Sequence, residues 1–144
     1  MHIYPEGGPR YSEVEPGFEL PALQLEPVNR TVLALYAGAS GDHNQVHIDL
    51  DFARQARQPD VFAHGMLSAA YLGRLLTQWV PQSQVRALST RFVGITQLGH
   101  VPHLSARVVE KFVADGEKRV RLHIQCFNQY GDPRLVGEAV IALA

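Results

Sequence analysis

The chain has a single cysteine, Cys126, in 144 residues. That excludes a disulfide framework and any cysteine-rich metal site. No uninterrupted apolar run reaches the ~18 residues that cross a bilayer. Basic residues are not in excess: 13 Lys plus Arg stand against 14 Asp plus Glu, a formal charge of -1. Nothing therefore supplies the positive footprint of a general nucleic-acid binder. Charge of either sign is scarce, at 19% against the usual quarter or so, which suggests surface covered by another chain. There is no Gly-x-Ser-x-Gly elbow, no phosphate-binding loop and no dinucleotide glycine fingerprint. Residues 1–11 hold two Pro and two Gly and no apolar stretch of the secretory kind, so the expectation is a cytoplasmic protein without a membrane anchor.

What is present suits one packed domain. Apolar residues make up 46% of a 16.0 kDa chain, enough for a core. Pro and Gly make residues 1–17 an expected flexible arm, with the domain proper over 18–144. Phe18 to Pro27 reads as a short edge strand. Val32, Leu35, Tyr36 and Ala39 share a helical face, with Asn29 as N-cap and an end near Ser40. Asp49 or Asp51 is placed to cap a short helix that Pro59-Asp60 breaks. From Phe62 to Val80 runs the longest apolar segment, whose Met66, Ala69, Ala70, Gly73, Leu76 and Val80 fall at helical spacing. Leu67, Tyr71, Leu72, Leu75 and Trp79 fill its other faces, so a helix buried nearly all round is predicted. After Pro81 the period becomes two: 85–93, 104–113, 120–127 and 135–143 read as antiparallel strands, with hairpin turns at Asp115-Gly116-Glu117 and Tyr130 to Pro133. Helices in one block and strands in another give an α+β class, a sheet curling around one long helix.

The densest polar cluster is Gly41-Asp42-His43-Asn44-Gln45-Val46-His47. Three readings compete. Asp42 and Asn44 can simply cap local backbone, with both histidines at the surface. His43 and His47, four apart, would share a face for a metal if the backbone were helical, but no third ligand is evident. Asp42 and His47 can form an acid/base pair, because imidazole titrates near neutrality and a desolvated carboxylate can be shifted toward it. In His64-Gly65-Met66, Gly65 stands at the threshold of the long helix. There, unpaired N–H groups and the absence of a Cβ allow a developing oxyanion to approach. Alternatively Gly65 only relieves crowding. Arg91-Phe92 reads as plain strand, Arg91 outward and Phe92 inward. Cys126 alternates inward and reads as a small hydrophobe. Tyr71 and Trp79 read as core or subunit-contact residues.

YAGASGDHNQVHID followed by FAHGML resembles the MaoC-like dehydratases, also called (R)-specific enoyl-CoA hydratases or hydratase 2 enzymes. Their motif is Gly-Asp-x-Asn-Pro-x-His, followed after about twenty residues by His-Gly-Met. The chain is also similar to the short mycobacterial (3R)-hydroxyacyl-ACP dehydratase subunits, and the resemblance covers about residues 15 to 144. It implies a single hot-dog fold, an antiparallel sheet wrapped around the long helix. It also implies dimers or higher homo-oligomers, or a heterodimer, with sites near the subunit interface. By this resemblance Asp42 and His47 are the catalytic pair, Gly65 provides the oxyanion N–H and Asn44 supports the turn. The family proline is Gln45 here, which bears on substrate class and rate more than on the pair. The reaction implied is reversible syn hydration of a trans-2-enoyl thioester, on CoA or acyl carrier protein, to a (3R)-hydroxyacyl thioester. It needs no metal and no cofactor. Phe62 and Met66 are candidate acyl-chain contacts. A supporting hot-dog subunit without activity of its own, or an acyl-CoA thioesterase on the same fold, are the alternatives.

Overall fold

The computed structural model describes residues 8–144. Five antiparallel strands form one sheet in the order β1-β3-β4-β5-β2. They are β1 (Leu23–Gln24), β2 (Val85–Phe92), β3 (His103–Ala114), β4 (Glu117–Phe127) and β5 (Pro133–Ala142). Three helices precede the main strands: α1 (Arg30–Ser40), α2 (Leu50–Gln55) and α3 (Gly65–Thr77). This is the expected α+β hot-dog arrangement, with an open sheet rather than a closed barrel.

Alternation builds the sheet's inner face. On β4, Val120, Leu122, Ile124 and Cys126 are buried while His123 is exposed. Val108, Ala139 and Ile141 bring their own apolar side chains to the same cluster. Against them α3 lays Ala69, Leu72, Leu75 and Leu76. Burying one such Leu removes enough apolar surface to contribute about 1.5–3 kcal/mol. Asp115 and Gly116 both have positive φ, at 52 and 74, and Ala114 pairs directly with Glu117. The hairpin loop is thus the two-residue kind that matches strand twist.

A second, smaller core lies under α1 and α2, made by Val28, Leu33, Ala53, Val61, Ala63 and Leu67. Asn29 caps α1 by accepting from the Val32 N–H, and Asp49 caps α2 by accepting from Asp51 and Phe52.

Three expectations change. First, α3 is shorter than 62–80. The Phe62 carbonyl accepts from His47 and the Ala63 N–H donates to Thr96, so neither group is free for a helical turn. Trp79 and Val80 lie past the helix end and are still buried. Second, α3 is not covered all round: Met66, Ala70 and Arg74 are exposed, because the sheet lies along one side only. Third, the arm is not loose throughout. Residues 1–7 lie outside the described residues, but Val14 is fully buried and the Tyr11 N–H donates to Ala144. Within 18–27, only Leu23–Gln24 and a bridge from Glu19 to Arg107 pair with β3.

Candidate active site

Three small turns set the polar loop after α1. Gly41 ends the helix in the left-handed region, φ 77, with its N–H on Ala37; a residue without Cβ adopts that conformation cheaply. The Ser40 hydroxyl donates to Tyr36 and accepts from the Asp42 N–H. Asp42 Oδ1 accepts from the Asn44 N–H at 3.1 Å, and Asn44 Oδ1 accepts from the Val46 N–H at 3.1 Å. A short 3-10 turn, Gln45–His47, follows. The capping reading of Asp42 and Asn44 is therefore correct in its geometry. It fails for His47, which is not a surface residue but about nine-tenths buried.

His47 points across to the entrance of α3. Its Nδ1 lies 2.7 Å from the Phe62 carbonyl oxygen. A carbonyl can only accept, so Nδ1 carries a hydrogen, and in the neutral ring the lone pair is on Nε2. The ring meets the Phe62 ring edge-on at 5.1 Å and stacks on His64 at 3.8 Å. His64 in turn reaches back, its Nε2 donating to the Asp42 carbonyl at 3.1 Å. Tyr36 closes the stack, edge-on to His64 at 4.8 Å. Burial pushes the His64 pKa below its ordinary value and so favours the neutral ring, while its Nδ1 is buried with no partner among the described residues. Burial, and then the nearby Asp42 charge, raises the Tyr36 phenol.

One donor atom each from Asp42, His47 and His64 lies within 4.8 Å of the others. His43, in contrast, is exposed and turns to the Gly41 carbonyl. The pairing of His43 with His47 for a metal is thus overturned, because the backbone between them is turn and not helix. Gly65 follows His64 as the first residue of α3. A Cβ on Gly65 would sit 2.9 Å from the Phe92 ring, so a close approach explains the glycine. Phe92 faces inward as expected yet is half exposed, and Met66 is exposed too. Two open depressions of about 340 and 290 Å³ lie elsewhere, on the sheet's outer face around His123.

The side chains of His64, Tyr36 and Phe92 carry no role in the sequence reading. The first was visible within His-Gly-Met, but only folding stacks it on His47. Tyr36 and Val32 are four apart on α1, a spacing that packing against the smaller core explains equally well.

Residues 14–125 match the family described as MaoC like domain. The chain belongs to that family. This MaoC-like domain is similar to the fatty acid synthase subunit beta of Saccharomyces cerevisiae, 30% identical over 112 residues. The match takes in 70% of this chain and 6% of that protein, so the chain spans only a small part of the curated relatives it matches. Among solved structures it resembles the R-hydratase PhaJ1 of Pseudomonas aeruginosa. That match has 30% identity and a TM-score of 0.83, covering 94% of this chain and 86% of that one. The ChsH1–ChsH2 complex of Mycobacterium tuberculosis shares the fold at 21% identity and a TM-score of 0.77, covering 90% and 98% of the two chains. Among the described residues no helix is long and apolar enough to cross a membrane.

Proposed function

We propose that this MaoC-like domain catalyses reversible syn hydration of trans-2-enoyl thioesters to (3R)-hydroxyacyl thioesters. The observation that carries the reading is the orientation of His47. Its Nδ1–H is committed to Phe62, so the Nε2 lone pair is the part of the ring free to take a proton. A water between Nε2 and the Asp42 carboxylate gives its oxygen to the β carbon. One of its protons passes to His47 and then to the α carbon on the same face; the other stays on the new hydroxyl, held by Asp42. Addition and protonation from one side give the syn outcome, and both side chains end as they began. Charge that moves onto the thioester oxygen meets the N–H of Gly65, which as the first residue of α3 has no partner within its own helix and where the helix dipole favours negative charge. Asn44 holds the turn that separates the pair. The acyl chain lies along Phe62 and Met66.

A second copy of this chain completes the site. Among the described residues β2 pairs with β5 on one side only, and its other edge adjoins exposed Leu88, Phe92 and Met66. Antiparallel pairing of two such edges satisfies their backbone groups and covers these side chains. The fold shared with a two-chain complex makes a different hot-dog partner the competing outcome, which size measurement of the purified chain distinguishes.

The test is a panel of enoyl-CoA substrates of increasing length, followed by loss of the conjugated double bond and by product chirality. Formation of (3R)-hydroxyacyl-CoA supports the reading. Release of free thiol would reassign the chain as a thioesterase. No turnover by the chain alone, restored by a co-purified hot-dog protein, would make it a supporting subunit.

A further inference from the structure

We propose that Arg134 is a positioning residue for His47, acting through the segment between β2 and β3; this rests on reading Asp42 and His47 as the reacting pair. The direction of the His47 ring is set by its acceptor, the Phe62 carbonyl. That carbonyl belongs to the same peptide group as the Ala63 N–H, which donates to Thr96 at 2.9 Å. Phe62 is also bridged to Gln97. The acceptor that orients His47 is thus hung on residues 96 and 97, which belong to no strand.

Arg134 grips that segment twice. Its carbonyl accepts from the Val93 N–H at 3.0 Å, extending the pairing of β5 with β2 by one step. Its side chain then turns back, and Nη1 donates to the Ile95 carbonyl at 2.6 Å. The guanidinium lies flat against Gly94: a Cβ there would come within 2.5 Å of Cζ and 2.8 Å of both terminal nitrogens. Arg134 Nε is buried without a partner among the described residues. A buried unpaired donor is rare and calls for a reason; here the side chain is held in place by the carbonyl it clamps. The chain of contacts runs from the guanidinium to Ile95, through Thr96 to the 62–63 peptide, and on to the His47 ring. Loosening the first contact lets the backbone around Thr96 shift, and with it the 62–63 peptide whose carbonyl holds Nδ1–H. The planar fork and flat stacking are arginine's own and an ammonium does not reproduce them. Gly94 and Arg134, forty positions apart in the chain, are thereby two halves of one device.

The experiment reads the His47 tautomer by long-range proton–nitrogen NMR of the full chain without substrate, alongside enoyl-CoA kinetics. The wild type should show hydrogen on Nδ1. In Arg134→Met the Nε2–H form should grow at its expense, and kcat should fall at least ~10-fold with KM changed by less than ~3-fold, as small misplacements of a reacting group do. Gly94→Ala, which expels the guanidinium while keeping the arginine, should do the same. If Arg134→Met does not fold, Arg134→Lys carries both readouts. Lower melting temperature with the tautomer and kcat unchanged would show a merely structural arginine and overturn the proposal. A tautomer shift in a chain that hydrates no enoyl-CoA would keep the positioning role and remove the catalytic reading instead.

Discussion

His47 and His64 stack at 3.8 Å, and each ring is fastened to the backbone of the other's segment. His47 donates to Phe62, two residues before His64, and His64 donates to Asp42, five residues before His47. The polar loop and the entrance of α3 are thus cross-linked by two imidazoles, and one donor atom each of Asp42, His47 and His64 lies within 4.8 Å of the others.

The reacting pair should be separable from the fold. Asp42→Asn and His47→Ala should each lower crotonyl-CoA hydration by at least ~100-fold, the scale of an acid/base group. Circular dichroism and melting should show the chain still folded. Near-normal turnover in either folded variant would reject the pair.

Gly65 and Phe92 should be coupled. Gly65→Ala places a Cβ at 2.9 Å from the Phe92 ring, and that half-exposed ring must turn aside or the amide must move. Activity should drop in Gly65→Ala and recover in part when Phe92→Ala is added, because the double variant removes the collision. A double-mutant cycle with no coupling would place the two effects apart.

His64 makes stability depend on pH. Its folded pKa lies below the ordinary 6.5 through burial, against a weaker opposing pull from the Asp42 carbonyl. The unfolded chain therefore binds a proton more readily, and the native state should lose stability as pH falls below about 6.5. His64→Gln should flatten that part of the melting-temperature profile relative to wild type. An unchanged slope would mean that other groups, such as half-buried His100, govern it.

Glu117 works at more acid pH. Hydrogen bonds from Arg86 and then Arg119 hold its carboxyl at about 2, below the ordinary 4.5. With a lowered folded pKa, its contribution is fully present above 4.5 and is lost as pH falls toward 2. Glu117→Gln should remove that acid-side dependence, read as denaturant midpoint against pH, and leave neutral-pH turnover unchanged.

The β2 edge should control assembly. Leu88→Asp on this strand should shift the protein toward a smaller species by native mass measurement and reduce turnover together with it. A wild-type monomer of full activity would show that the site is complete in one chain.

Much of the layout was legible from residue type and period. Asn29, Gly41 and Asp49 mark helix ends through local hydrogen bonds and φ, and period two on β4 shows which side chains face α3. Such signals act within a few residues, so one sequence carries them. The threshold of α3 at Gly65 was legible, but not why the apolar Phe62 and Ala63 stay outside the helix, since their backbone groups bond to His47 and Thr96 and not to sequence neighbours. The same holds for the exposed face of Met66, Ala70 and Arg74, because apolar composition says what can be covered and not how far the sheet reaches. By itself the sequence determined the local turns, the strand faces and the presence of Asp42, His47 and Gly65. The tertiary structure alone decided that His64 stacks on His47, that Phe62 selects the His47 tautomer, and that Arg134 clamps the segment behind it. The reason is that an unpaired donor or acceptor, once buried, must find its partner in space, whatever its distance along the chain.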